Sequence, residues 1–454
     1  MNPERLRVVL LSRAVAPWHG VGGLERHVAD MTRHLVRRGV RVTLVTPPPT
    51  PQVQGRADDG ATLPGLEDAR ADGRFETQFV PYVTFPFAGR RGTTILDRNT
   101  AYPYFGRRAG RLAYRLVEGG GVQIVHGHGA STLGYAAARM RDPIGTVPFI
   151  FNPHGLEEFG GTDPSRAWLK TLAYRPLRTA VRTCSDAADR VIATDEVLAP
   201  VVRTHLAVRE DRLRVIPNAV DLDAIDTLAA AGNASADDPG IGACGNGRVP
   251  RDGGSVPLLA VGRLEANKGF HVLIEALSRL SAEPRATAWR LVLVGDGPRR
   301  GALEKQAQEA DLGDQIRFVG RLADEAVHGW YAAATLFVHP TLYEGSSLVT
   351  LEAMAHRCAV VASAAGGIPD KVQQGVTGWL VPPGDAGALA RAIAGALSNP
   401  ARLLAMGEAG RALVERKFSW PAVTERLLDL YAETLAGSQR AQPTGSPASR
   451  PAQR

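Results

Sequence analysis

Two glutamates, Glu344 and Glu352, stand with seven residues between them in Tyr343-Glu344-Gly345-Ser346-Ser347-Leu348-Val349-Thr350-Leu351-Glu352-Ala353-Met354-Ala355. The stretch reads as a loop turning into a helix. Ser346 or Ser347 can cap that helix, because a serine oxygen accepts from an otherwise orphan backbone N–H. Leu348, Leu351 and Ala355 then repeat at helical spacing and give it a buried face. Both carboxylates can point toward one ligand at the helix N-terminus, where free N–H groups and the macrodipole favour an anion. A ligand with polyol groups and a phosphate suits such a site. Taken alone, the pair equally fits one loop glutamate and one solvated helix glutamate. A second constellation, Gly262-Arg263-Leu264-Glu265-Ala266-Asn267-Lys268-Gly269, ends a strand and puts two cations five residues apart. A fork-shaped guanidinium and a point-charge ammonium together suit a diphosphate; the alternative is two surface cations on a loop.

Weaker motifs surround these. Gly20-Val21-Gly22-Gly23-Leu24-Glu25-Arg26 follows the first apolar run and opens a helix, either as a ligand-approaching glycine turn or as a structural one. A dinucleotide fingerprint is disfavoured there, since position 25 is Glu where a third glycine would stand. Gly295-Asp296-Gly297-Pro298 is a strand-end turn that could approach a nucleotide base or simply reverse the chain. His154, at the end of Phe151-Asn152-Pro153-His154-Gly155, can donate to a sugar hydroxyl or a phosphate, although a lone histidine is more often structural. His126 and His128 form a similar strand-end pair, but no third and fourth ligand stand at telling spacing, so no metal site is expected. Asp221-Leu222-Asp223 resembles a metal-holding aspartate pair and more simply caps a helix.

The elements that must position these residues are short β-branched runs, each followed by helix-like sequence. Strands are expected at 7–12, 41–46, 123–126, 148–152 and 190–194, then at 214–217, 258–262, 290–295, 316–320, 335–339, 359–363 and 378–381. Their continuous apolar character is that of parallel strands buried on both faces. Two βαβ series in succession predict two doubly wound α/β domains, with ligands at the carboxyl ends of the strands in the crevice between them. A chain of 454 residues also exceeds one ordinary core. The expected boundary is at residue 208, giving domains at 1–208 and 209–419, with a helix near 420–437 returning to the first. Residues 229–256 read as a flexible insertion and 438–454 as a disordered tail.

Composition narrows the partners. Hydrophobic content of 44% and charged content of 22% are globular values. No apolar run reaches the roughly 18 residues of a membrane span, and the N-terminus reads as a first strand rather than a signal peptide. Three scattered cysteines, Cys184, Cys244 and Cys358, make neither a disulfide framework nor a metal site, which fits a cytoplasmic protein. The net charge of +7 is uneven: residues 1–225 hold 30 Lys and Arg against 23 Asp and Glu, and residues 226–454 hold 23 of each. In the window 84–115, Arg90, Arg91, Arg98, Arg107, Arg108, Arg111 and Arg115 face only Asp97. Arg107, Arg111 and Arg115 share one helical stripe opposite Ala109, Leu112 and Leu116, and Phe85, Phe87, Tyr102, Tyr104 and Phe105 precede most of it. Such a segment suits an anionic membrane surface at the inner face of the membrane, or an ordinary packed helix with a solvated arginine face. No nucleic-acid partner is expected.

Taken in order, Gly22-Gly23-Leu24-Glu25-Arg26, His154-Gly155, Ile216 to Asp221, Gly262-Arg263-Leu264 with Lys268-Gly269, Gly295 to Pro298, Glu344 to Glu352, Gly366-Gly367-Ile368-Pro369 and Gly375 to Pro383 resemble the retaining glycosyltransferase family 4, over residues 7–432. The resemblance implies a GT-B architecture, two Rossmann-like domains facing each other across a cleft. It implies a metal-independent, cofactor-free transfer of a sugar from a UDP- or GDP-sugar to a hydroxyl acceptor, lipid-linked or part of a cell-envelope glycan precursor. Arg263 and Lys268 would neutralise the diphosphate, Glu352 would accept from the ribose, Glu344 would face the donor sugar, and His154 would contact it from the other domain. Gly22 and Gly23 would close over the diphosphate or acceptor; Gly295, Gly297, Ser346, Ser347, Leu348 and Val349 complete the substrate-binding set. Two departures blur the donor sugar: Ser346-Ser347 replace a frequent Phe-Gly, and Asp370 replaces the usual Glu. Whether Glu344 is a nucleophile stays open. The same scaffold also carries nucleotide-sugar epimerases and could serve as a non-catalytic binding module; the retained Arg263, Lys268, Glu344 and Glu352 argue against a dead module.

Overall fold

The computed structural model describes residues 3–20, 22–50, 62–84, 93–142, 146–154, 156, 159, 172–233, 255–283 and 287–441. The chain divides into two compact units. One comprises Met1–Ala193, Val202–Arg214 and Thr424–Arg454; the other comprises Thr194–Val201 and Val215–Val423. Most of the segment expected to be an insertion, and the tail from residue 442, lie outside the described residues. The helix Leu222–Asn233 takes up the start of that insertion, and the helix Trp420–Ala441 takes up the first four residues expected as tail.

The first unit is built on β1 (Arg7–Leu11), β2 (Arg41–Thr46), β3 (Phe75–Phe79), β4 (Ile124–His128), β5 (Phe149–Asn152), β6 (Arg190–Ala193) and β7 (Leu213–Val215), in the order β3-β2-β1-β4-β5-β6-β7. β1 lies between β2 and β4 and runs parallel to both, with Val8 opposite Val42 on one side and Ile124 on the other. The strand order reverses at β1 and β4, so the loops leaving these two strands diverge and open a crevice at their carboxyl ends. Two strands depart from the expectation. β3, Phe-Glu-Thr-Gln-Phe, has no apolar run because it is an edge strand with only Phe75 buried. β7 was expected to begin the second series; it is instead the far edge of the first sheet, and none of its residues is fully buried.

The second unit is built on β8 (Val256–Val261), β9 (Trp289–Val294), β10 (Ile316–Gly320), β11 (Leu336–His339), β12 (Ala359–Ser363) and β13 (Gly378–Val381), in the order β10-β9-β8-β11-β12-β13. Alternate residues of the same strands enter two separate cores. Leu258, Ala260, Leu291, Leu293, Val338 and Val361 pack with the helices Phe270–Ser281 and Ala386–Leu397. Leu259, Val292, Phe337, Val360 and Ala362 pack with Tyr331, Leu351 and Met354 from the helices Asp324–Ala333 and Leu348–Ala355. Both sheet faces are covered, which is why these strands read as unbroken apolar runs. The switch point lies between β8 and β11, whose following loops carry Arg263 with Lys268 and Glu344.

Candidate functional site

The loop after β8 is held in place by the loop after β9. Leu264 N donates to Asp296 O at 3.0 Å, Arg299 N donates to Leu264 O at 3.0 Å, and Gly295 N donates to Gly320 O at 2.8 Å. Gly295 has φ +136°, and a Cβ there would sit 1.9 Å from Gly262 O. The glycine is therefore required by the approach of two loop backbones. Gly297, whose Cβ would lie 2.6 Å from Leu264 O, shares that packing role. Leu342 N, after β11, donates to Asn267 O at 2.8 Å, which ties the third loop to the first.

Glu344 and Lys268 are brought together by this frame. Lys268 Nζ donates to Glu344 Oε2 at 2.7 Å, and His339 Nε2 lies 3.4 Å from the same oxygen. Burial works against ionisation of Glu344. The hydrogen bond and charge interaction with His339, and the Lys268 ammonium, outweigh it and hold the carboxyl down at about 2. Arg263 projects into solvent with 76% of its side chain exposed and pairs with Glu265 at 2.7 Å. An exposed pair of this kind is worth about 0–1 kcal/mol, so a phosphate can take the guanidinium at little cost. Ser347 caps the helix Leu348–Ala355, accepting from Thr350 N at 3.4 Å, and its Oγ lies 2.9 Å from Thr350 Oγ1 and 3.3 Å from His339 Nδ1. Leu348 and Val349 form the half-buried first turn, and Tyr331 Oη donates to Glu352 Oε2 at 3.2 Å one turn further on. Asp221 caps the helix Leu222–Asn233, accepting from Ala224 N at 3.1 Å.

The sequence reading missed the partners of Ser346. Lys371, fully buried, pairs with Asp195, which is 1% exposed. Lys371 Nζ also donates to Ser346 Oγ at 3.0 Å and to Gly367 O at 3.2 Å. Ser346 Oγ donates to Asp195 Oδ1 at 3.3 Å, and Thr194 Oγ1 donates to Asp195 Oδ2 at 2.9 Å. Burial pushes the Asp195 carboxyl above its ordinary value, against the opposing pull of Lys371. The Gly366-Gly367 turn docks on the Glu344 loop: Gly367 N donates to Gly345 O at 2.8 Å. Gly366 has φ +52°, and a Cβ there would fall 1.7 Å from Glu344 O. Asp370, one of the two departures noted above, accepts from Val197 N at 3.1 Å. Residues 195 and 371 are too far apart for any spacing to signal the pair; the unusual Ser346 and Asp370 were the visible marks beside it.

In the first unit, the β1 and β4 ends gather imidazoles. His128 ends β4, His27 lies on the helix Gly23–Arg37, and His154 follows β5. His128 Nδ1 and His154 Nε2 are 2.6 Å apart, and the His126 and His128 rings stack at 4.9 Å. His126 Nδ1 meets Tyr431 Oη at 2.8 Å. His154 has φ +57°, and its N–H donates to Asn152 Oδ1 at 2.9 Å. Burial holds His27 at about 4 and His126 at about 3; burial, then the neighbouring imidazoles, hold His128 and His154 well below the usual range. Gly22 is the N-cap of the helix Gly23–Arg37, and its carbonyl accepts from Arg26 N at 3.0 Å.

The basic segment forms the helix Ala101–Glu118, with Arg107, Arg108, Arg111 and Arg115 exposed. One expectation is corrected here: Tyr102 and Phe105 are buried, because they belong to the face that packs on the unit. Tyr104 remains exposed, and Phe85 and Phe87 lie outside the described residues. A cavity of about 860 Å³ opens beside this helix, lined by Val83, Asn99, Tyr104, Arg107, Leu133 and Arg175 among others.

Comparison with known proteins agrees with both units. The family described as Glycosyl transferases group 1 matches residues 248–413, and Glycosyltransferase Family 4 matches residues 21–224. The chain is 28% identical over 455 residues to D-inositol 3-phosphate glycosyltransferase 2 of Catenulispora acidiphila, covering 94% of this chain and 95% of that protein. It is 30% identical over 330 residues to the alpha-maltose-1-phosphate synthase of Mycolicibacterium smegmatis, covering 69% and 79%. Among solved structures it resembles the sucrose-phosphate synthase of Thermosynechococcus elongatus with a TM-score of 0.70 at 24% identity, covering 95% and 100%. It also resembles Anabaena Alr3699/HepE in complex with UDP-glucose, with a TM-score of 0.62 at 19% identity, covering 95% and 100%. The fold is that of the two-domain GT-B proteins.

Proposed function

The chain belongs to the family 4 glycosyltransferases, and on that premise we propose that it transfers a hexosyl group with retention, and without a metal, from a nucleoside diphosphate sugar to an anionic hydroxyl acceptor. The observation that carries this reading is the ion pair between Lys268 and Glu344 at the β8–β11 switch point, with Arg263 exposed on the Lys268 loop. Lys268 has three donors, so it can keep Glu344 while binding a phosphate oxygen. Arg263, Lys268 and the N-terminus of the helix Leu348–Ala355 supply positive charge to the departing diphosphate, the task a divalent cation performs elsewhere. The bond from the anomeric carbon to the diphosphate oxygen breaks through an oxocarbenium-like state. The acceptor oxygen bonds to the same face, and its proton passes to the departing phosphate. Glu344, ionised at neutral pH, stabilises the positive carbon, and Glu352, fixed by Tyr331, accepts from the ribose. His154 is assigned to the transferred sugar.

The donor proposed is a UDP- or GDP-sugar. The likeness to a protein solved with UDP-glucose supports a nucleotide sugar. The relatives named for inositol 3-phosphate and maltose 1-phosphate support an anionic acceptor. The exposed arginines of the helix Ala101–Glu118 and its neighbouring cavity support an acceptor carried by a lipid at an anionic membrane surface. Among the described residues no helix is long and apolar enough to cross a membrane, so this contact would be peripheral. The test is a panel of UDP-, GDP- and ADP-sugars, with and without an acceptor extract, read as nucleotide release and as product mass. Acceptor-dependent release with one donor is expected. Silence with every donor would point to a binding module, and isomerised donor without release would point to an epimerase.

A further inference from the structure

Three imidazoles meet in the first unit at positions that no sequence spacing connects. One ring nitrogen of each of His27, His128 and His154 lies within 4.8 Å of one from each of the others. His27 packs edge-on against both His128 and His154, at centroid distances of 5.8 and 5.2 Å. His128 and His154 stack at 4.9 Å. They come from three separate elements: the helix Gly23–Arg37, the end of β4 and the loop after β5. His27 is 7% and His128 1% exposed, and His154 is half-buried. His128 Nε2 is buried and, among the described residues, finds no hydrogen-bond partner. A buried ring nitrogen left unpaired is destabilising. The left-handed backbone of His154 adds local strain, and Asn152 holds the residue in that conformation. An unpaired ring nitrogen gathered with two further imidazoles is a donor set for a metal, and neutral imidazole is a ligand for divalent zinc.

We propose that His27, His128 and His154 bind one Zn²⁺ through their ring nitrogens, leaving a fourth position open to water or an anion. Two imidazole nitrogens on one tetrahedral zinc stand about 3.3 Å apart, from Zn–N bonds of about 2.0–2.1 Å. The 2.6 Å separation of His128 Nδ1 and His154 Nε2 therefore opens by about 0.7 Å if these two are the ligand atoms, and pairs as far as 4.8 Å apart close by up to about 1.5 Å. His126, stacked on His128 and bonded to Tyr431, buttresses the site as an outer partner. The three histidines belong to the first unit, and Arg263 and Lys268 to the second. The zinc site has one functional consequence, which rests on the role given to His154 above: a zinc-ligated His154 is withdrawn from the sugar, so zinc inhibits transfer.

The experiment is a calorimetric titration of the chelator-treated full chain with Zn²⁺ alone, without donor or acceptor. One saturable zinc per chain is expected. His27→Ala and His128→Ala should each weaken it by more than the ~10–100-fold typical of losing an outer partner. His271→Ala, in the second unit, should leave it unchanged. Zinc should raise the Tm of the parent and of His271→Ala, but not of the two cluster variants. If those variants do not fold, Co²⁺ in the unmodified chain decides: intense visible bands of four-coordinate cobalt support the site, and the weak bands of six-coordinate cobalt overturn it. Absence of one-to-one binding, or binding untouched by both substitutions in folded protein, also overturns it. Zinc that binds as expected yet leaves nucleotide release unchanged refutes the role of His154 in transfer and leaves the metal site standing.

Discussion

Arg263 and Lys268 both carry positive charge toward the diphosphate in the proposed mechanism, but their surroundings predict different mutational profiles. Arg263 is exposed and its only described ion pair is with Glu265, so Arg263→Ala should leave the unfolding free energy within about 0.5 kcal/mol of the parent while nucleotide release falls by ~10²–10³-fold. Lys268→Ala removes charge from the leaving group and also strips Glu344 of its ammonium. Its loss of release should therefore come with a measurable loss of stability, and a Tm unchanged in that variant would contradict the paired geometry. Glu344 gives a pH signature. Its folded carboxyl titrates at about 2 against an ordinary 4.5, so the group favours the folded chain above pH 4.5, and that contribution is lost as pH falls toward 2. The full amount is roughly 3 kcal/mol at neutral pH. Denaturant unfolding of the parent and of Glu344→Gln should converge as the pH is lowered through that window; a constant gap would refute the depressed carboxyl. These residues were legible in the sequence because strand ends and helix starts bracket them locally. Asp195 and Lys371 were not, since the fold alone brings them together.

At the scale of elements, the Glu344 loop is tied to the Gly366-Gly367 turn and, through Ser346, to the Lys371–Asp195 pair. Breaking a buried pair on one side strands a charge. Lys371→Met should cost about 3–5 kcal/mol in denaturant unfolding, and the double substitution Asp195→Leu with Lys371→Met should recover most of it. If the single variant proves as stable as the parent, the pair is not buried as described. Gly366→Ala faces both a left-handed backbone and the Glu344 carbonyl, so it should lower release as well as Tm by displacing the carboxylate. The strands that frame this arrangement were readable wherever both faces are covered. β3 escaped and β7 was placed in the wrong series for one reason: an edge strand need not be apolar, and pattern alone does not say which sheet it joins. The histidine cluster escaped for another. His126 and His128 were visible as a pair, but His27 and His154 reach them only through the crossover connections of the first sheet.

Over the whole molecule, the excess of 30 cations against 23 anions in residues 1–225, beside an even balance after them, separates two electrostatic tasks. In the proposed mechanism the second unit needs local charge at one diphosphate and no long-range field. The first presents an arginine stripe along an 18-residue helix, with apolar side chains such as Val83, Leu96 and Tyr104 exposed nearby. The burial of Tyr102 and Phe105 weakens the apolar half of a membrane contact and leaves the charged half intact, so attraction should be mainly electrostatic. Each arginine close to an anionic leaflet contributes about 1 kcal/mol, and the Debye length shrinks from about 10 Å at 0.1 M salt to about 3 Å at 1 M. The full chain should therefore co-sediment with phosphatidylserine-containing vesicles at low salt, release at high salt, and ignore neutral phosphatidylcholine vesicles. Replacing Arg107, Arg108, Arg111 and Arg115 together by glutamine should abolish sedimentation without altering release of nucleotide to a soluble acceptor. No binding at low salt would reduce the stripe to a solvated helix face. Binding that survives 1 M salt would mean that apolar insertion dominates, through the exposed residues beside the 860 Å³ cavity rather than through the arginines.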